Sequence, residues 1–338
     1  MRFLSLAFVG LLALRAGAQT PVRPAGADDD PRYRIRVSTE LVVVPVTVKD
    51  RQGRLVPGLE AQDFRILEDG VEQKLSLFAA EPFPLAAAVL VDTDLDTTGA
   101  RKLAEGWVAL SGAFGESDEV ALYTFDVGIR RVLDFTVDAD SFFAALKKAQ
   151  GEVGAGVAPA GGPLWAGPRI NNRSITGMPN IRRAAPAVTK RLDDAIYAAA
   201  QDLKRRDRAR RKIILVVSDG ANSSDNQVRT EEALSALLQA DISVYAIGVS
   251  GAWLPGAKSL LQRYAAATGG DFFPSFRRRS IEQVYARATE QARNQYTLAY
   301  VPLKPALSGG FRQIEVRVRR PGLTLLARQG YFPAIATP

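Results

Sequence analysis

The 338-residue chain has no cysteine and no histidine. Without cysteine there can be no disulfide, no thiolate nucleophile and no Cys-ligated zinc or iron–sulfur site. Without histidine, Ser-His-Asp catalysis, imidazole general-base chemistry and nearly every catalytic zinc site are excluded. An enzyme made from this chain would have to run on carboxylates, lysine, hydroxyls and a hard, oxygen-seeking metal. Long apolar runs are also missing. The stretch from Phe3 to Leu14 is too short to cross a bilayer, and no later stretch is longer.

Hydrophobic residues make up 47% and charged residues 24%, the balance of a globular protein with ample core material. Residues 1–18, with a basic start, an apolar stretch and the small pair Ala16 and Ala18, read as a secretory signal peptide. The expected mature chain starts near Gln19, is exported to the periplasm or the exterior, and has a net charge of +6 once Arg2 and Arg15 are removed from the +8 total. Basic clusters at 204–212, 277–279 and 317–320 could draw phosphate. They read as solvated helix ends and strand edges, so no nucleic acid is expected.

Residues 19–32, rich in Pro, Ala and Asp, read as a linker. From Tyr33 to residue 80 the pattern has period two, with Asp69-Gly70 suited to a primed hairpin turn and Val71 to Phe78 expected as one strand. Residues 84–294 alternate apolar strands with helical segments, the signature of a doubly wound α/β sheet. The Gly- and Pro-rich stretch 151–190 interrupts this pattern and reads as a partly disordered surface insertion. Its Asn172-Arg173-Ser174 sequon, its glycines at 154 and 156 and its Trp165 are weak signals. Period two returns over 295–333. Each flanking β segment has too few strands to stand alone, so the two are expected to pair into one small β-sandwich-like domain with the α/β domain inserted between them.

The chemistry-bearing stretch is Ala86 to Gly99. A fully apolar strand ends in three alternating carboxylates, Asp92, Asp94 and Asp96, where open α/β sheets bind ligands. A second apolar strand, Ile213 to Ser218, ends in Asp219-Gly220. Four readings follow from these residues. An EF-hand loop fails because Thr97 and Leu103 stand where glycine and glutamate are required. Asp94-Leu95-Asp96-Thr97-Thr98 resembles the first motif of haloacid-dehalogenase-type phosphatases, with Asp94 as nucleophile, Asp96 as acid/base and Mg²⁺ as cofactor. The acids could also cap a helix beginning near Thr98.

The fourth reading is a resemblance. A strand ending Asp92-Thr93-Asp94-Leu95-Asp96, a threonine (Thr189) in a later loop and a strand ending Ser218-Asp219-Gly220 resemble the metal-ion-dependent adhesion site of von Willebrand factor A (VWA) domains. Glu68-Asp69-Gly70, Thr268-Gly269-Gly270, Gln295-Tyr296-Thr297-Leu298 and Ala327-Arg328-Gln329-Gly330-Tyr331-Phe332 resemble the acidobacterial VWFA-related family of exported proteins. The resemblance implies a Rossmann-like VWA domain, a non-catalytic role in binding another protein, and Asp92, Asp94, Asp96, Thr189 and Asp219 around Mg²⁺ or Ca²⁺. The site departs from the family pattern. Asp94 and Asp96 replace two serines, and Lys190 falls where the metal-binding threonine belongs. Four carboxylates around a divalent ion leave an excess of negative charge, so either the site is degenerate or Lys190 replaces the ion.

Overall fold

The computed structural model describes residues 41–153, 169–170, 173–174, 190–249, 257–274, 281–304 and 309–333. The leader, the linker, the strand expected near Tyr33, Trp165 and Thr189 lie outside the described residues.

Strand β1 (Val42–Lys49) opens the described chain, followed by β2 (Phe64–Glu68), β3 (Val71–Gln73) and β4 (Leu75–Ala79). The α/β part runs β5 (Leu85–Asp92), α1 (Thr97–Ser111), β6 (Glu119–Phe125), β7 (Ile129–Thr136) and α2 (Ala139–Gln150). Two short strands, β8 (Arg169–Ile170) and β9 (Arg173–Ser174), pair with each other. Then come α3 (Leu192–Lys204), β10 (Arg211–Ser218), α4 (Thr230–Gln239), β11 (Ile242–Gly248), α5 (Ala257–Thr268), β12 (Asp271–Pro274) and α6 (Ile281–Arg293). The chain closes with β13 (Tyr296–Tyr300), β14 (Arg312–Val318), β15 (Thr324–Ala327) and β16 (Gly330–Tyr331).

The central sheet has the order β12-β11-β10-β5-β6-β7, parallel throughout except for β7, which pairs antiparallel with β6. β5 and β10 are buried at every position, as strands covered on both faces must be. Alternate β5 residues enter opposite cores. Leu85, Ala87, Val89 and Val91 meet α1, α2 and α6, whereas Ala86, Ala88 and Leu90 meet α3, α4 and α5. This is a doubly wound α/β sheet. Connections from β5 and from β10 leave toward opposite edges, so the switch point lies between their carboxyl ends.

The flanking segments form two four-stranded sheets, β15-β1-β13-β4 and β16-β14-β2-β3. They share a core of Val42, Val44, Val46, Val48, Phe64, Ile66, Tyr296, Leu298, Tyr300 and Ile314. The Asp69-Gly70 turn has positive φ at both residues (47° and 80°), the primed geometry that suits strand twist. The single strand expected over Val71–Phe78 is instead divided at Lys74. β3 pairs with β2 in one sheet and β4 with β13 in the other, so the chain turns a corner between sheets. Period two runs unbroken through such a corner and therefore conceals it.

Candidate functional site

β5 and β10 end side by side at the switch point, and their last residues build the crevice. The Asp92 carboxylate is fully buried. Its Oδ1 accepts the backbone N–H of Asp94 (3.0 Å), which tightens the turn out of the strand. Its Oδ2 accepts the Ser218 hydroxyl (2.8 Å) and the Lys190 ammonium (3.1 Å). Lys190 Nζ also donates to Asp219 Oδ2 (2.8 Å). Gly220 adopts φ +79°, a conformation open to glycine, and this lets its N–H reach back to Ser218 Oγ (3.0 Å). Asp219 Oδ1 accepts the Ala221 N–H (2.9 Å).

Lys190 stands at the entry to α3 and is fixed by its backbone as well. Its carbonyl accepts the Ser223 N–H (2.7 Å), and the next N–H, that of Arg191, donates to the Asp126 carbonyl (2.9 Å). Thr93 ties the β5 end to the same β6–β7 turn, donating to Asp126 Oδ2 (3.1 Å).

Burial pushes the Asp92 carboxyl up to about 6, and the repulsion of Asp219 adds to the effect. The Lys190 charge and the Ser218 hydroxyl oppose it but do not cancel it. Burial alone would lower the Lys190 ammonium, yet attraction to Asp92 and Asp219 outweighs it and the net shift is upward. The lysine is therefore charged across the neutral range.

The other sequence-derived candidates take different positions. Asp96 is the N-cap of α1, its Oδ1 accepting the Gly99 N–H (2.7 Å). Asp94 is half-buried at the lip of the crevice. Thr189 lies outside the described residues. Among the described residues no group of three or more carboxylates converges to hold an ion.

The donor chemistry suits a hard cation, since Asp92, Ser218 and Asp219 offer only oxygens. The space does not. A divalent ion bound to Asp92 and Asp219 would have to lie where Lys190 Nζ already touches both, in a crevice where the lysine side chain is only 6% exposed. The residues as they stand do not fit a metal.

Two buried acids in the first turn of α3 were not singled out from the sequence as functional. Asp194 accepts the N–H groups of Gln227 (3.1 Å) and Val228 (2.8 Å). Asp193 accepts the hydroxyls of Thr230 (2.7 Å) and Tyr264 (2.7 Å). Asp194 thus anchors the loop after Asp219 to the start of α3, and Asp193 ties that start to α4 and α5. The one signal in the sequence is a pair of aspartates in a first helical turn, a placement that helix-dipole preference alone also favours.

Comparison with family models and with curated proteins finds no match. Among solved structures, the chain is similar to a von Willebrand factor type A protein from Catenulispora acidiphila (TM-score 0.44, 12% identity, covering 79% of this chain and 72% of that one). It is similar to the conserved hypothetical protein BatB from Bacteroides thetaiotaomicron (TM-score 0.39, 14% identity, 62% and 98%). It is also similar to proximal thread matrix protein 1 from the mussel byssus, in a structure whose MIDAS motif is occupied by zinc (TM-score 0.42, 14% identity, 67% and 49%).

Proposed function

We propose that the chain is an exported, non-catalytic protein-interaction module of the VWA kind, and that it meets its partner at the switch-point edge. The observation that carries this reading is how the crevice carboxylates are used. Asp92 and Asp219 are tied to Lys190, and Asp96 caps α1. The acid/base assigned to Asp96 by the phosphatase motif is thus holding a helix end. The sequence resemblance and the strand order point the same way. Among the described residues the two flanking sheets join the central sheet near the amino-terminal ends of its strands, through Arg211 and Thr297 and through Lys49 and Asp271, away from the crevice residues. Among the described residues no helix is long and apolar enough to cross a membrane.

The test is capture from an envelope extract by the purified protein, run beside an Asp94→Arg variant that alters the lip without touching the core. A protein retained by the wild type and lost with Asp94→Arg is the expected outcome. Equal capture by both would move the interaction off this edge. Turnover of a generic phosphate ester in Mg²⁺, abolished by Asp94→Asn, would overturn the non-catalytic reading. The N-terminal sequence of the mature protein, expected near Gln19, checks export.

A further inference from the structure

We infer that Lys190 is a covalently tethered cation in the place of a divalent ion, and that it masks a latent oxygen-donor cation site formed by Asp92, Ser218 and Asp219. The inference concerns the same crevice as the proposed function. It does not depend on where, or whether, a partner docks.

The first ground is position. Lys190 Nζ is a single atom that touches both Asp92 Oδ2 (3.1 Å) and Asp219 Oδ2 (2.8 Å), so a small cation placed there would meet both oxygens. Ser218 Oγ, 2.8 Å from Asp92 Oδ2, supplies a neutral oxygen on the same side. Two carboxylates, a hydroxyl and water molecules are a normal Mg²⁺ environment, since that ion keeps several waters. The second ground is mechanical. A bound ion would draw the ends of β5 and β10 together. Lys190 does so already, and its backbone adds the β6–β7 turn through Arg191 and the loop at Ser223. Four segments thus converge on one residue. The third ground is burial. A buried cation without partners is strongly disfavoured, and two carboxylates resolve that cost here. The crevice is accordingly closed in all conditions of ion supply, a fixed surface where an ion-dependent one would respond to chelators.

Thermal unfolding in Mg²⁺, Mn²⁺ and EDTA tests this, using the full mature chain. The wild type is expected to show the same Tm in all three. Lys190→Thr removes the ammonium and adds a hydroxyl. It is expected to lose stability in EDTA and to regain about 3 °C or more in millimolar Mg²⁺ or Mn²⁺, saturably, as a ligand bound only by the folded state requires. Adding Asp219→Asn should abolish the regain. A saturable metal response in the wild type, or a folded Lys190→Thr that ignores both metals, would overturn the inference.

Reductive methylation of the wild type, read by mass spectrometry, gives a result that does not depend on the variant folding. Lys190 is expected to be protected at least tenfold relative to exposed lysines such as Lys147 and Lys148, about the ratio a 1.4 kcal/mol opening cost gives. Modification of Lys190 at the surface rate would count against a seated cation. Loss of partner capture with these results intact would instead bear on the proposed function alone.

Discussion

Asp92 and Lys190 respond to pH in opposite parts of the scale, and the signs follow from their shifts. The carboxyl of Asp92 is raised from 3.8 to about 6 in the folded chain. Between those values the folded protein holds a proton that the unfolded chain has released, so this group favours folding more as pH falls through the window. Two pH units of difference amount to about 3 kcal/mol at full extent. Other carboxylates titrate nearby, so the clean measurement is a difference. Urea unfolding of wild type and Asp92→Asn at pH 7 and at pH 4 should show the wild type gaining on the variant as pH is lowered. A difference that stays constant across the window would mean an ordinary carboxyl at position 92. Lys190, raised above 10.5, contributes stability that is complete below that value and disappears as pH rises through the higher folded value.

The elements themselves were largely legible. β5 and β10 could be read as doubly buried strands because five or more apolar residues run unbroken in each, up to Asp92 in β5 and up to Ser218-Asp219 in β10. The helices followed from apolar residues at helical spacing, such as Leu103, Trp107 and Leu110 on α1. The corner at Lys74 was hidden because alternation reports which face a residue takes and not which sheet it joins. In the site, strand ends were legible from local pattern, whereas roles were open among several readings. Aspartate serves equally as a metal ligand and as a helix cap, so Asp96 could not be assigned from its type. Lys190 meets Asp92 from 98 positions away, a pairing that no local pattern encodes and that the adhesion-site resemblance alone brought into view. Asp96→Ala is expected to cost about 1 kcal/mol in chemical unfolding, and Asp96→Asn to lose much less, since asparagine caps equally well. Equal losses from both would assign the role to the charge.

At the scale of the whole molecule, several of the residues that carry the sequence resemblance outside the crevice lie at joints between elements. Gly270 lies against β11, where an added Cβ would come within 1.9 Å of the Val244 carbonyl oxygen. Gln329 donates its N–H to Ala267 at the end of α5 (3.1 Å), and Arg328 pairs with Asp241. Lys49 of the sandwich pairs with Asp271 of the central sheet. The deepest joint is Arg211, at the start of β10. Its guanidinium donates to the carbonyls of Ala292 (3.2 Å) and Gln295 (3.3 Å), to Gln295 Oε1 (2.9 Å) and to Thr297 Oγ1 (2.9 Å), and it lies over the Phe83 ring. Among the described residues no carboxylate is bonded to it, and burial lowers it to about 10. The charge is thus held by neutral acceptors that have few alternatives once it is gone. Arg211→Met keeps the apolar stem, removes the donors and strands several buried oxygens, each worth about 1 kcal/mol or more. We expect a loss of about 3 kcal/mol and a change of cooperativity. In the wild type, amides of β1 and β10 should exchange hydrogen with the same opening free energy, because sandwich and central sheet unfold together. In Arg211→Met the β1 amides should exchange by an easier opening than those of β10. Separate openings already present in the wild type, or a variant that keeps a single one with under about 1 kcal/mol lost, would mean that Arg211 does not couple the two halves.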